Sequence, residues 1–350
     1  MTQRTLAGII AAPLLIALWV VAASEPLPYV TYEPGLTVNV LGSHDGEPII
    51  EVAGHRTYPD QGELRMTTVY VSQPRPARVT LAELMKDWIS KDAAVYPYKA
   101  IYRENETNAQ SRQQGAVEMV SSQDTAAAVA LDQLGYQVKP AVEVLSVLPG
   151  TPADGRLQVR DIFLKIDGKP VTSSDQVVKA VQSAQAGQPV HFVVRRDRKP
   201  TPVTVTPRVK DGTPVIGIQL GLGYRFPFKV RVNLDQAIGG PSAGLMFSLG
   251  IYDTLTPGSL TDGRSVAGTG TIDESGKVGP IGGIQQKIAA ARRDGAQLFL
   301  VPPDNCKDAL GAQNGDMRLV KAETMPDALQ ALKAWDADPD APLPSCKEDS

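Results

Sequence analysis

The sequence predicts an α+β protein in three parts: an N-terminal transmembrane helix, a small β-rich unit mid-chain and a C-terminal α/β domain. Three observations predict it. Thr5 to Ala23 reads TLAGIIAAPLLIALWVVAA, nineteen residues without a charge. Residues 119–209 set short apolar runs and Gly/Pro turns between two helical stretches, and residues 210–338 alternate β-type runs with runs of helical period.

Rising about 1.5 Å per residue, the segment 5–23 is just long enough to cross a hydrocarbon core, and Pro13 is tolerable inside a membrane helix. The competing reading is a cleaved secretory signal, since Val21-Ala22-Ala23 resembles a small-residue cleavage site. The length favours an uncleaved anchor over residues 1–24. Arg4 before the segment, with no basic cluster after it, puts the soluble part on the extracytoplasmic side.

Residues 25–118 read as β-rich, with runs at Thr37 to Leu41, Ile49 to Val52 and Leu64 to Ser72 and a helix over Leu81 to Ile89. The polar run ENETNAQSRQQ, from Glu104 to Gln114, reads as a loop or hinge. The unit 119–209 opens on a helix over Thr125 to Leu134. VEVLSVL, the turn Pro149 to Ala153, DIFLKIDGKPV, a helix over Ser174 to Ala184 and VHFVVRR follow. In 210–338 the expected order is a strand at Lys229 to Leu234, a helix from Pro241 to Leu255, a strand from Gly263 to Ile272, a helix from Gly283 to Asp294, a strand at Leu298 to Val301 and two further helices. Residues 339–350 read as a loose tail.

Bulk properties narrow the function. With 350 residues, 42% hydrophobic and 21% charged, the chain has ample material for cores. A net charge of −3 and no long basic run exclude the electrostatic footprint of a nucleic-acid binder. Cys306 and Cys346 are the only cysteines and lack metal-ligand spacing. In an exported chain the even count suggests a disulfide; two unrelated thiols is the alternative.

The chemistry lies in Gly239-Gly240-Pro241-Ser242-Ala243-Gly244 and, 45 residues on from Ser242, Lys287. A serine hydroxyl becomes a nucleophile when a base takes its proton, and a lysine kept neutral by burial serves as that base. Pro241 suits the first turn of a helix, whose free amides hold an oxyanion, while Gly239 and Gly240 let a substrate backbone approach. GPSAG equally fits an ordinary capped helix start, and Lys287 an ordinary solvated lysine. The other inventories fail: His44, His55 and His191 all precede the serine segment. Asp235, Asp253, Asp262 and Asp273 read as loop or helix-end residues, and Lys277 sits in a turn.

Two resemblances sharpen this. The unit 119–209, with its turn before Ala153, Asp161 through Asp167-Gly168 and the helix after it, resembles a bacterial PDZ domain. It departs from the family at Arg160, where many members carry glycine. The resemblance implies capture of an extended peptide on a sheet edge, with Leu134, Gly135 and Tyr136 as the peptide-binding loop. The run LDQAIGGPSAGLMFSLGIYDTL, then GRSVAGTGTIDESGKVGPIGGIQQKIAAARRDGAQLFLVPPDN, resembles the proteolytic domain of Lon-type serine proteases. That resemblance implies Ser242 as nucleophile, Lys287 as general base and Thr269 as the hydroxyl orienting the lysine. Gly240 and Pro241 support the loop, and Gly239 departs from the aspartate of many cytoplasmic members. No cofactor and no metal are implied, and because Lon-like domains commonly form rings, a homo-oligomer is.

The whole resembles the exported PDZ-containing Lon-like proteases of bacteria. No GxxxxGK[ST] phosphate loop occurs, so ATP-independent cleavage of polypeptide substrates is expected. An inactive peptide-binding envelope scaffold is the competing reading. GELRMTTVYV resembles an early strand of the Lon fold, so the PDZ unit is expected as an insertion, with Leu64 to Ser72 sharing the sheet of Lys229 to Leu234.

Overall fold

A computed structural model describes residues 2–74, 79–185, 187–235 and 237–349. Helix α1 (Gln3–Ser24) is apolar around its circumference and, among the described residues, carries no buried one across its most hydrophobic window. It leads into β1 (Tyr29–Asn39), β2 (Ile50–Ala53), β3 (Glu63–Val71), α2 (Leu81–Ile89), β4 (Ala94–Pro97) and the long helix α3 (Asn108–Gln133). The smaller unit follows as β5 (Lys139–Val147), β6 (Ile162–Ile166), α4 (Ser174–Ser183), β7 (Val190–Arg196), β8 (Lys199–Val205) and β9 (Ile218–Arg225). The chain then runs through β10 (Lys229–Val232), α5 (Gly244–Leu255), β11 (Ser265–Gly268), α6 (Ile284–Arg293), β12 (Leu298–Val301), β13 (Arg318–Lys321) and α7 (Met325–Ala337).

The larger unit is built on a six-stranded mixed sheet in the order β13-β12-β11-β3-β1-β4. Strand β3 pairs in parallel with β11, Leu64 opposite Val266 and Met66 opposite Gly268. Strands before and after the smaller unit therefore share one sheet. The expected partner is different, however: Lys229–Val232 pairs with β2 in a separate two-stranded ladder, Val230 opposite Val52. Leu64, Met66, Leu245, Phe247, Val266 and Leu300 fill one continuous core of the larger unit. Each such side chain, removed from water, contributes roughly 1.5–3 kcal/mol.

Helix α3 corrects two expectations. The polar stretch after Asn108 is helix, not hinge: Thr107 caps it in a reciprocal capping box with Gln110, and Gln, Arg and Ala favour its first turns. Its second half also belongs to the larger unit, because Met119, Ala126, Ala127, Ala130 and Leu131 lie in that unit's core. The smaller unit has its own core of Val144, Phe163, Phe192, Val194 and Val205, under an antiparallel sheet ordered β8-β7-β6-β5-β9. Strand β9 lies beyond the expected boundary at 209 yet pairs with β5 along its whole length, from Ile218 opposite Val147 to Arg225 opposite Lys139. The boundary signs in the sequence were turns, and the pairing runs across them.

The tail is tied down. Cys306 and Cys346 are disulfide-bonded with Cα atoms 5.0 Å apart, and Ser345 bridges to Val320 on β13.

Candidate active site

Ser242 lies in the loop just ahead of α5, which starts at Gly244 and not at Pro241 as expected. The loop is held from outside. Gly240 takes φ 92°, a left-handed conformation strained for any side chain, and its amide donates to Gly115 O on α3 at 2.8 Å. Ser122 on α3 donates its hydroxyl to Pro241 O at 3.0 Å. Gly239 approaches so closely that a Cβ there would lie 3.1 Å from the Gly115 carbonyl carbon. From inside, the Gly270 amide donates to Ser242 O at 2.8 Å, and the Thr269 hydroxyl to the same oxygen at 3.0 Å.

Lys287 stands one turn into α6, which the chain enters through Gly283 at φ 70°. A Cβ at Gly283 would lie 2.8 Å from Val69, so glycine is needed for the close passage over β3. Lys287 Nζ is 2.7 Å from Ser242 Oγ and 3.0 Å from Thr269 Oγ1. The lysine is 2% exposed and Thr269 is fully buried. Burial alone drives the amine down from 10.5 to about 7, because a charged ammonium loses its hydration with no carboxylate to replace it. Thr269 has one proton, used on Ser242 O, so its lone pairs are left for Nζ. A neutral amine that donates one N–H to Thr269 keeps its own lone pair for the serine proton.

Among the described residues, no hydrogen bond occupies the amides of Ser242 and Ala243, while those of Gly244 and Leu245 are taken by Pro241 O and Gly270 O. Two donors therefore stand free at the head of α5, beside the Ser242 hydroxyl and at the positive end of the helix dipole. The hydroxyl opens into a cleft of about 420 Å³ walled by Val38, Ile49, Met66, Met119 and Ile238. His44 and Asp235 also line this cleft, but the group that meets the serine hydroxyl is Lys287.

The site brings together Ser242, Lys287, Thr269, Gly240 and Pro241. It does not include Leu134, Gly135 and Tyr136, which close α3: Gly135 takes φ 83° and the Tyr136 amide returns to Leu131 O at 2.9 Å. Tyr136 Oη is 2.7 Å from His55 Nε2 and its ring packs on Phe228, so this stretch is a helix stop docked on the larger unit. The end strands of the smaller sheet are β8 and β9. Gly115 and Ser122 were not legible as site residues, since nothing local to α3 marks a contact with a loop more than a hundred residues on.

Residues 143–196 match the family model of the PDZ domain, and residues 236–332 match that of the Lon protease (S16) C-terminal proteolytic domain, spanning both Ser242 and Lys287. The chain joins a PDZ domain to a Lon-type proteolytic domain. Lon protease of Haemophilus influenzae is 36% identical over 95 residues, 26% of this chain and 12% of that protein. Lon protease 2 of Bacillus subtilis is 33% identical over 107 residues, 30% of this chain and 19% of that protein. The matches thus span under a fifth of the length of these relatives. The PDZ domain of the SdrC-like protein of Listeria innocua is 32% identical, covering 23% of this chain and 92% of that domain, with a TM-score of 0.22.

The Lon-type unit and the PDZ unit meet at α3. Arg160, in the PDZ turn before β6, takes φ 71° and reaches Gln123 Oε1 at 2.5 Å and Asp124 Oδ1 at 3.3 Å. Burial, opposed by the Arg160 charge, raises the Asp124 carboxyl, and burial beside Asp124 pushes Glu143 up to about 10. Arg160 is thus one of the residues through which that unit grips α3, beside Ser146, whose hydroxyl accepts from Gln113.

Proposed function

We propose that this chain is a serine endopeptidase that cleaves polypeptides with Ser242 as nucleophile and Lys287 as general base. The observation that carries the reading is the 2.7 Å approach of a buried, readily neutralised amine to the serine hydroxyl. As Ser242 Oγ attacks a substrate carbonyl carbon, its proton passes to Lys287 Nζ. The carbonyl oxygen, now an oxyanion, is received by the amides of Ser242 and Ala243. The resulting ammonium gives its proton to the leaving amine nitrogen as the peptide bond breaks, and the acyl-enzyme forms. A water then attacks the ester carbonyl, again losing its proton to Lys287, which returns it to Ser242 Oγ as the ester C–O bond breaks and the acid product leaves. Thr269 holds Nζ on the serine through both steps.

The reaction uses no nucleotide, in keeping with the lack of a phosphate loop in these 350 residues. Helix α1 acts as a single-pass anchor for an extracytoplasmic body, its 19-residue apolar window having the length of a membrane span. The PDZ unit recruits or gates substrate by adding an extended peptide to its sheet, in which β9 is one of two end strands.

The test is hydrolysis of an unfolded polypeptide by the full chain, without ATP, beside Ser242→Ala and Lys287→Ala. Loss of cleavage in both variants is expected; cleavage surviving in either discards the dyad. The inactive-scaffold reading predicts no hydrolysis in any of the three.

A further inference from the structure

We propose that the apolar face of α2 seats in the interfacial layer of the phospholipid bilayer that α1 spans, so that the body meets the membrane at two points. The proposal rests on reading α1 as a membrane span. Helix α2 buries Leu84 and Asp87, yet turns Met85, Trp88 and Ile89 outward with 53%, 77% and 78% of their surface exposed. These three stand at i, i+3 and i+4 and so form one contiguous face. A single exposed apolar residue is ordinary on a soluble surface; a tryptophan, an isoleucine and a methionine side by side mark an interaction surface.

Position argues for lipid as the occupant. Helix α2 touches α1, residues 25–28 alone join α1 to β1, and the Leu27 amide donates to Val79 O at 3.2 Å, just ahead of α2. A spanning helix leaves the bilayer at its Ser24 end, so the α2 face lies at headgroup level. Tryptophan and tyrosine partition to that layer, and Tyr29, the first residue of β1, is 39% exposed there. Lys86, 70% exposed though bonded to Glu33, and the exposed Lys91 flank the face, where lysine stems reach toward phosphates. A contact with a second copy of this chain would cover the same face but gives no reason for it to lie beside α1.

The test uses the full chain in phosphatidylcholine liposomes carrying bromine or nitroxide quenchers at shallow or deep acyl positions. In Trp19→Phe, emission comes from Trp88 and the buried Trp335; in Trp88→Phe, it comes from Trp19 and Trp335. We expect the shallow label to remove most of the Trp88 emission and the deep label to quench Trp19. Trp88 untouched by lipid labels but quenched by aqueous iodide, with Trp19 quenched by the deep label, overturns the proposal and leaves the anchor standing. Trp88 shielded from both iodide and lipid overturns it in favour of a protein contact. Trp19 silent to both lipid labels sinks the anchor reading and the proposal with it.

Discussion

Gly115 accepts the amide proton of Gly240 at 2.8 Å, which puts the Ser242 loop one hydrogen bond from the helix that Arg160 of the PDZ unit grips. A single rigid element, α3, is therefore in contact with the loop at Gly115 and Ser122 and with the PDZ unit at Gln123 and Asp124. These contacts come from a segment outside the Lon-type match, which covers residues 236–332.

Ser122→Ala should lower kcat about tenfold while costing about 1 kcal/mol of stability, the scale of one hydrogen bond left unmade at Pro241 O. Gly239→Ala forces a Cβ to within 3.1 Å of Gly115 and should act more strongly, displacing the loop. Steady-state kinetics beside thermal melts check this pair. Unaltered turnover in Gly239→Ala would show that α3 does not set the loop.

Turnover should rise with pH through about 7 and then level, as Lys287 loses its proton. The effect on stability has the same direction. The lysine holds its proton to about 10.5 when unfolded and only to about 7 when folded, so between those values the unfolded chain binds more protons and stability grows with pH. Below about 7 the full burial penalty, roughly 4–5 kcal/mol, applies. Lys287→Met should thus abolish activity, raise stability at pH 7 and flatten its rise toward pH 10. Denaturant titrations across pH read all three, and a destabilised Lys287→Met would argue that the ammonium is well solvated.

Thr269→Val should reduce kcat by about 100-fold with little change in KM, since the amine loses its acceptor and Ser242 O one of its donors. Thr269→Ser keeps the hydroxyl and should retain most of the rate. Equal rates for wild type and Thr269→Val would assign the threonine a packing role alone.

Arg160→Gly relieves a left-handed arginine, worth about 1 kcal/mol, but strips the cation from Asp124, whose side chain is buried. The second effect should win, by about 2 kcal/mol net. Amide exchange around Gln123 and Asp124 should speed up. Unchanged protection there would mean that the PDZ unit docks through other contacts.

Cys346→Ser opens a loop of 40 residues, which in the chain-entropy account costs about 4 kcal/mol. A lower Tm matched by wild type under reductant is expected. A Tm insensitive to both would place the tail outside the cooperative unit.

Much was legible from local pattern: the apolar run of α1, the amphipathic α4 and α6, the hairpin and turn chemistry of the PDZ unit, and the two motifs holding Ser242 and Lys287. These depend on side-chain periodicity and on glycine and proline geometry within a few residues, and the sequence alone determined them. Only the tertiary structure decided that β3 pairs with β11 across the inserted unit and that α3 packs with the Lon-type core. It also decided that Leu134 to Tyr136 end a helix and dock against His55 and Phe228. The physical reason is common to all three. Which apolar face covers which, and how far an amine is desolvated beside a distant hydroxyl, are properties of segments brought together by burial, and neither segment carries that information by itself.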